Sequence, residues 1–340
     1  MVNNMADCLV LGIETSCDET AAAVMKNGRE PLSNVIASQI GDHAVYGGVV
    51  PEIASREHVA HISQVVDRAL AEAGVSFSGL DAIAVTKGPG LVGALLVGVS
   101  YAKALAFACR KPLIGVNHIE AHMFANYIKS DFAPPYLCLV VSGGHTHLVD
   151  VRADGRYEVV SRTVDDAAGE AYDKVARAIG LGYPGGPAID RLARQGDADA
   201  VPLPRAVVAD RPGYFSFSGL KSAVLQYLLK RERAGQPVNR ADLAASFQKA
   251  VVDVLVGRAM EACRERGVNT LALAGGVSAN SGLRREMARA CEAAGIRLQV
   301  PELVLCTDNA CMVAACGTSH FLRGERDGWD MNAYPSLALG

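Results

Sequence analysis

One pattern that occurs twice, in the same order, constrains this chain more than any other feature. Residues 8–13 form a short apolar run, residues 14–19 (Glu-Thr-Ser-Cys-Asp-Glu) are polar, and residues 20–25 are apolar again. That predicts a strand, a tight turn and a second strand. Residues 136–141, 142–145 (Ser-Gly-Gly-His) and 146–151 repeat the pattern. A second echo follows each hairpin. Residues 80–86 predict a strand ending in Gly88-Pro89-Gly90, with a helix behind it; residues 268–274 predict one ending in Gly275-Gly276, with a helix over 281–294. A duplicated α/β unit, giving two lobes around a central cleft, is the economical reading. Gly-rich turns that enter helices present backbone N–H groups to anions, unless they serve only to turn the chain. Apolar residues at helical spacing over 59–73 and 243–263 predict packing helices that carry no chemistry.

Composition narrows the function. Half of the 340 residues are hydrophobic and 20% are charged, which suffices for a large buried core and for roughly two domains. The net charge of −3 excludes a generally basic protein. Contact with nucleic acid would need a local patch, such as Lys230-Arg231-Glu232-Arg233 or Arg284-Arg285, or a partner that supplies the charge. Nine cysteines with no Cys-x-x-Cys pair indicate a reducing, cytoplasmic setting rather than a disulfide framework. Residues 1–7 lack the basic and apolar segments of an export signal. Residues 91–109 are long and apolar, yet contain Gly93, Gly98, Ser100, Tyr101 and Lys103, as suits a buried helix better than a membrane span.

The chemistry centres on Asn117-His118-Ile119-Glu120-Ala121-His122. Two histidines four apart share one helix face, the spacing of a metal pair, although two hydrogen-bonded histidines would show it too. A zinc peptidase needs His-Glu-x-x-His, with the glutamate beside the first ligand. Here Glu120 is two residues on and turned roughly 200° away, at about 100° per residue. That excludes the peptidase. The third ligand expected is a carboxylate. Asp308 fits, lying between the apolar run 300–306 and a small-residue helix over 310–317; this predicts a strand-to-helix junction, where α/β folds place ligands, or else an N-cap.

Other residues look like ligand contacts. Asp173 is an acid on a helix with an apolar opposite face, which a surface ion pair would equally explain. Tyr183-Pro184-Gly185-Gly186-Pro187 is a stiff turn that lets backbone approach a ligand, with Asp190 a helical turn on. Asn280 caps the following helix or meets a nucleoside. Asp18 and Glu19, on the first hairpin turn, are candidates for a general base or for positioning water, unless they only stabilise the turn.

Residues 14–20, 47–52, 88–91, 117–122, 141–146, 183–187, 215–221, 274–280 and 306–309 together resemble the motif series of the TsaD family, in order, across most of the chain. The Gly-Gly-His turn and Cys306-Thr307-Asp308-Asn309 resemble its bacterial branch. The resemblance implies the actin/Hsp70/sugar-kinase (ASKHA) fold, with one lobe from 1–117 plus 310–340 and the other from 118–309. It implies one iron(II) per subunit on His118, His122 and Asp308, with zinc a possible substitute. It implies that Val140, Val141, Ser142, Gly143, Gly144, Asp173, Gly186, Asp190 and Asn280 contact a threonylcarbamoyl-adenylate. The expected reaction moves the threonylcarbamoyl group to N6 of the adenosine 3′ of a tRNA anticodon and releases AMP. The expected partners, besides tRNA, are a paralogous TsaB-type subunit and a TsaE-type P-loop ATPase, without a membrane. A sugar kinase or chaperone-like ATPase of the same fold is the alternative, since its nucleotide turns look alike but it has no need of the histidine pair.

Overall fold

The structure, a computed structural model, describes residues 7–206, 208, 211 and 213–339. They divide into two compact units. One comprises the chain up to Ala133 together with Pro301–Leu339, and the other is Pro134–Val300. Residues 1–7, expected to carry no export signal, lie outside the described residues except for Asp7.

The first unit is built on a sheet of β1 (Leu9–Glu14), β2 (Glu19–Lys26), β3 (Glu30–Pro31), β4 (Val35–Ser38), β5 (Ala82–Gly88) and β6 (Leu113–Asn117). Its order is β3-β2-β1-β5-β6, with β4 also on β2. The β1–β2 hairpin is antiparallel, and β1, β5 and β6 run parallel. The strands β7 (Tyr136–Val141), β8 (Thr146–Val151), β9 (Tyr157–Arg162), β10 (Thr270–Ala274) and β11 (Arg297–Gln299) form the second unit's sheet, in the order β11-β10-β7-β8-β9. There too the hairpin, β7–β8, is antiparallel, and β7, β10 and β11 run parallel. The twofold echo in the sequence is therefore one topology folded twice.

In the first unit the helices are α1 (Ile40–Ala44), α2 (Pro51–Ala73), α3 (Val92–Cys109) and α4 (His118–Phe124). The second has α5 (Ala168–Ala178), α6 (Gly185–Ala193), α7 (Ser218–Arg233), α8 (Arg240–Arg266) and α9 (Ser281–Ala294), and α10 (Ala310–Leu322) returns to the first. Alternation along β1 and β5 splits the first core into two layers, because successive side chains point to opposite faces. Leu11, Ile13, Ile83 and Val85 meet α2 and α3. Val10, Ala82 and Ala84 meet α10 and the segment around α4. The α10 side is made of small residues for a steric reason. A Cβ on Gly12 would lie 2.4 Å from the Ala310 carbonyl oxygen, and one on Gly317 would lie 2.3 Å from the Ala84 Cβ. The helix backbone thus rests directly on the sheet. The helix α3, apolar and long enough to cross a membrane by length and composition, buries Ala94, Leu95, Gly98, Val99, Ala102 and Ala106 instead. In the second unit Leu137, Leu139 and Val141 of β7 join Leu271 and Leu273 of β10, with Tyr172 and Phe247, in a single core.

Two expectations need correcting. The unit boundaries fall at 133/134 and 300/301, not at 117/118 and 309/310. The reason is packing: Ala121, Ala125 and Ile128 belong to the same core as α10, so the segment after β6 stays with the first unit. The run 300–306 is no strand either. It holds only a short 3-10 turn, Leu303–Leu305, and Leu303 and Val304 face solvent. An apolar run without a sheet edge to join has no partner for its backbone groups, and it coils instead.

Gly12→Ala tests the seat of α10. The added methyl would meet backbone atoms of Ala310 and Ala314, which cannot swing aside. Overpacking of this kind is expected to cost about 1–3 kcal/mol in denaturant unfolding, whereas Gly41→Ala, with nothing within 4 Å, should leave the midpoint unchanged or raise it slightly.

Candidate active site

Strand β6 ends at Asn117, whose side-chain oxygen accepts from the backbone N–H groups of Ile119 and Glu120 and so starts α4. That cap fixes His118 and His122 one turn apart, with ring centroids 4.6 Å from each other. Asp308 arrives from the other end of the unit's sequence. Its Oδ1 lies 3.2 Å from His122 Nε2 and 3.6 Å from His118 Nε2. It is not consumed as a cap, because Asn309 caps α10 by accepting from the Met312 N–H.

The back of the site is equally ordered. Glu14, fully buried at the end of β1, accepts from the Thr86 hydroxyl at 2.7 Å and faces His118 Nδ1 at 3.3 Å. The Ser16 hydroxyl lies 3.1 Å from the same nitrogen. These contacts leave His118 Nε2 to face Asp308. Burial opposes a charge on His118, but Asp308 and Glu14 outweigh it and raise the imidazole to about 9. Burial also opposes ionisation of Glu14, yet His118 and Thr86 hold its carboxyl below the usual range. Sequence reasoning gave Glu14 only a place in a turn. A strand-end acid becomes informative only when the fold sets it behind a histidine.

A metal ion fits these residues. Both ring nitrogens of His122 are buried, and neither makes a hydrogen bond to any described residue. A buried polar atom left so costs about 1–3 kcal/mol, which coordination through one ring nitrogen would partly relieve. Two imidazoles and one carboxylate with open positions form the donor set of non-haem iron(II) and open zinc sites. Glu120 faces away, bonded to His320 Nε2 at 2.9 Å, so the exclusion of a peptidase stands on geometry.

The hairpin-turn acids lie in the same unit. Glu19 is pushed up to about 10 by burial together with the Asp308 and Asp18 carboxylates. A divalent cation held by Asp308 would offset that repulsion. The turn at Gly88-Pro89-Gly90 does not offer free N–H groups to an anion: Gly90 N donates to the Pro335 carbonyl and Leu91 N to that of Ser16. The C-terminal segment covers it, which the sequence pattern of the turn alone did not disclose.

The second unit gathers the other expected residues. Asp173 accepts from the Gly185 N–H at 2.7 Å and pins the turn that carries Gly186. Asp190 accepts from Ser281, Arg194 and Gln248. Burial opposes its charge, and these donors hold its carboxyl below the usual range. Asn280 caps α9 through its oxygen and donates its amide to Gln248 at 2.7 Å, so capping and a second contact coexist. Gln248, on α8, thereby joins Asp190 to Asn280; sequence reasoning missed it, since on paper it is one polar residue in a packing helix. Val140 and Val141 are buried, so only their backbone can meet a ligand, while Gly143 and Gly144 lie on the exposed turn. Gly143, Gly144 and Gly186 have nothing within 4 Å of a built Cβ, so internal packing does not require glycine there. The basic clusters are partly spent: Arg231 bonds the Pro237 carbonyl, Arg284 that of Ser278, and Arg285 pairs with Glu286.

With this geometry in place, the chain is similar to known proteins along nearly its whole length. The family model for TsaD, tRNA N6-adenosine threonylcarbamoyltransferase, matches residues 30–315. A relative of that name from Clostridium botulinum (strain 657 / Type Ba4) is 58% identical over 332 residues, covering 97% of this chain and 98% of its own. One from Clostridium perfringens (strain ATCC 13124) is 56% identical over 333 residues, covering 98% of each. Among solved structures, full-length HypF in its phosphate- and nucleotide-bound form aligns at a TM-score of 0.60 and 15% identity, over 93% of this chain and 55% of that one. Component A of the Acidaminococcus fermentans (R)-2-hydroxyglutaryl-CoA dehydratase aligns at 0.55 and 12%, over 92% and 98%. These two show the fold alone, which is that of the actin/Hsp70/sugar-kinase class.

Substitutions separate the parts of the metal site. Asp308→Ala is expected to keep the fold and lose the divalent ion that this donor set would hold. Glu14→Gln should weaken its binding by about 10–100-fold, the usual effect of removing a ligand's outer partner. Metal analysis after anaerobic dialysis, alongside thermal melting, reads both, and full binding by Asp308→Ala would eliminate this donor set.

Proposed function

The chain belongs to the TsaD family of tRNA N6-adenosine threonylcarbamoyltransferases, and we propose the route by which it modifies tRNA: metal-assisted acyl transfer from threonylcarbamoyl-adenylate. It is a transferase of threonylcarbamoyladenosine formation. The family match favours this over the kinase alternative. What supports the metal-assisted route is one observation, the convergence of His118, His122 and Asp308, with both His122 nitrogens buried and hydrogen-bonded to none of the described residues.

The adenylate is assigned to the second unit. Backbone of 140–144 and the open turn at Gly186 admit it closely, and Asp190 and Asn280, fixed by Gln248, recognise the nucleoside through its hydroxyl and ring polar atoms. His118, His122 and Asp308 would hold iron(II), or zinc as a substitute, which would supply a Lewis acid for the carbamoyl carbonyl or the threonyl part. The adenine N6 attacks the carbamoyl carbon; the new C–N bond forms, the bond from carbon to the phosphate oxygen breaks, and AMP leaves with that electron pair. The N6 proton must go to a base; Asp18 and Glu19 are the candidates to take it or to position water, Glu19 only once a cation on Asp308 has lowered its carboxyl from about 10. The net charge of −3 and the internally paired arginines support help in holding tRNA, from a TsaB-type paralogue and a TsaE-type ATPase. The setting proposed is the cytoplasm, consistent with nine free thiols.

Reconstitution tests this. Protein, Fe2+, threonylcarbamoyl-adenylate and unmodified tRNA, with and without the partners, should yield threonylcarbamoyladenosine on nucleoside analysis. No product in the complete mixture would refute the donor; undiminished yield from chelator-stripped protein would refute the metal role. Gly186→Ala should leave the melting temperature equal or higher, since Ala gains up to about 1 kcal/mol over Gly in a helix, yet raise the KM for the adenylate several-fold. An unchanged KM would release Gly186 from the binding site.

A further inference from the structure

A second group of side chains that could hold a metal ion sits on the other face of α4. Glu120, which points away from the histidine pair, meets Cys316 and His320 of α10, and one ligand atom from each lies within 4.8 Å of the other two. Cys316 and His320 are four residues apart on one helix, the same spacing as His118 and His122, so they present their donors together. Cys316 is fully buried and Glu120 nearly so, while the His320 side chain retains 15% of its exposure.

We propose that Glu120, Cys316 and His320 form a second metal site, for a borderline-soft divalent ion of the zinc type, which ties α4 to α10. The donor chemistry selects that class: thiolate, imidazole and carboxylate together suit zinc, whereas magnesium and calcium take oxygen donors. The charges also balance, since a thiolate and a carboxylate neutralise a dication. His320 is oriented for the role. Its Nδ1 lies 2.7 Å from Glu325 Oε2, and its Nε2 points at Glu120 Oε1, 2.9 Å away. A ligating histidine whose other nitrogen is held by a carboxylate is the common arrangement at protein zinc sites. Arg323 occupies the other oxygen of Glu325, which keeps that carboxylate outside the donor set.

Bond lengths of 2.0–2.3 Å put tetrahedral ligands about 3.3–3.8 Å apart, so the donors need only small adjustments. The ion takes the place of two protons that now hold the group together. One is the Cys316 thiol proton, which burial and the neighbouring Glu120 retain by raising the thiol well above its ordinary value. The other lies between His320 and Glu120. Both leave to solvent, and water completes the coordination. The helices so joined carry His118 and His122 on α4 and lead from Asp308 on α10, so the ion would brace the first metal site without touching it.

Cobalt titration of the reduced full chain, stripped beforehand with a chelator, tests the proposal. Two Co2+ ions per chain are expected, one of them with a sulfur-to-cobalt charge-transfer band in the near ultraviolet. Cys316→Ser should lose the band and one ion while keeping the other; His122→Ala should lose the other ion and keep the band. Circular dichroism checks each variant, and if Cys316→Ser does not fold, His320→Gln, which retains a hydrogen-bonding side chain, should bind the thiolate-ligated ion at least tenfold more weakly. A wild-type chain with no charge-transfer band, or a band unchanged in Cys316→Ser or His320→Gln, would overturn the site.

Discussion

The contact on which the candidate active site depends is the seat of α10 on β1 and β5. Gly12 and Gly317 remove the methyl groups that would hold the helix off the sheet. The helix start, and Asp308 just before it, can then come down beside the histidines that follow β6. Wider spacing would leave the same three residues in the same order with no common point to face. Two glycines and a set of alanines, which look like filler, are what bring these three candidate donors together.

That packing also determines how the imidazoles behave. His118 is enclosed on one side by Glu14 and Ser16 and on the other by Asp308, so the fold assigns its two nitrogens to different partners. His122 is enclosed with neither nitrogen hydrogen-bonded to a described residue. A fold tolerates such a buried group when function supplies the missing partner. The hydrogen-bonded alternative weighed for this pair therefore describes His118 in part and His122 not at all.

The second unit follows a different logic. Its expected ligand residues are neither orphaned nor crowded; they are held. Asp190 and Asn280 are braced through Gln248, and Asp173 anchors the turn before α6. Such a network fixes polar side chains at a small entropic cost when a ligand binds. Beside it, Gly143, Gly144 and Gly186 leave open space that internal packing does not claim.

The duplicated strand–turn–strand pattern, the periodic helices and the pair of histidines were legible in the sequence, because alternation and helical spacing are local and survive without the fold. The third donor, Asp308, was legible as a candidate for the same reason: it is a lone acid before a helix. What only the tertiary structure decided was which distant residues share a point in space. Glu14 behind His118, Gln248 between Asp190 and Asn280, and Glu120 against Cys316 and His320 join positions 104, 58, 32 and 200 residues apart, taking His320 as the last partner of Glu120. The same limit misplaced the unit boundaries and turned the run 300–306 into a strand. Local sequence carries the period of an element, but a strand exists only if a neighbour is there to pair with it, and that neighbour is chosen by packing of the whole unit.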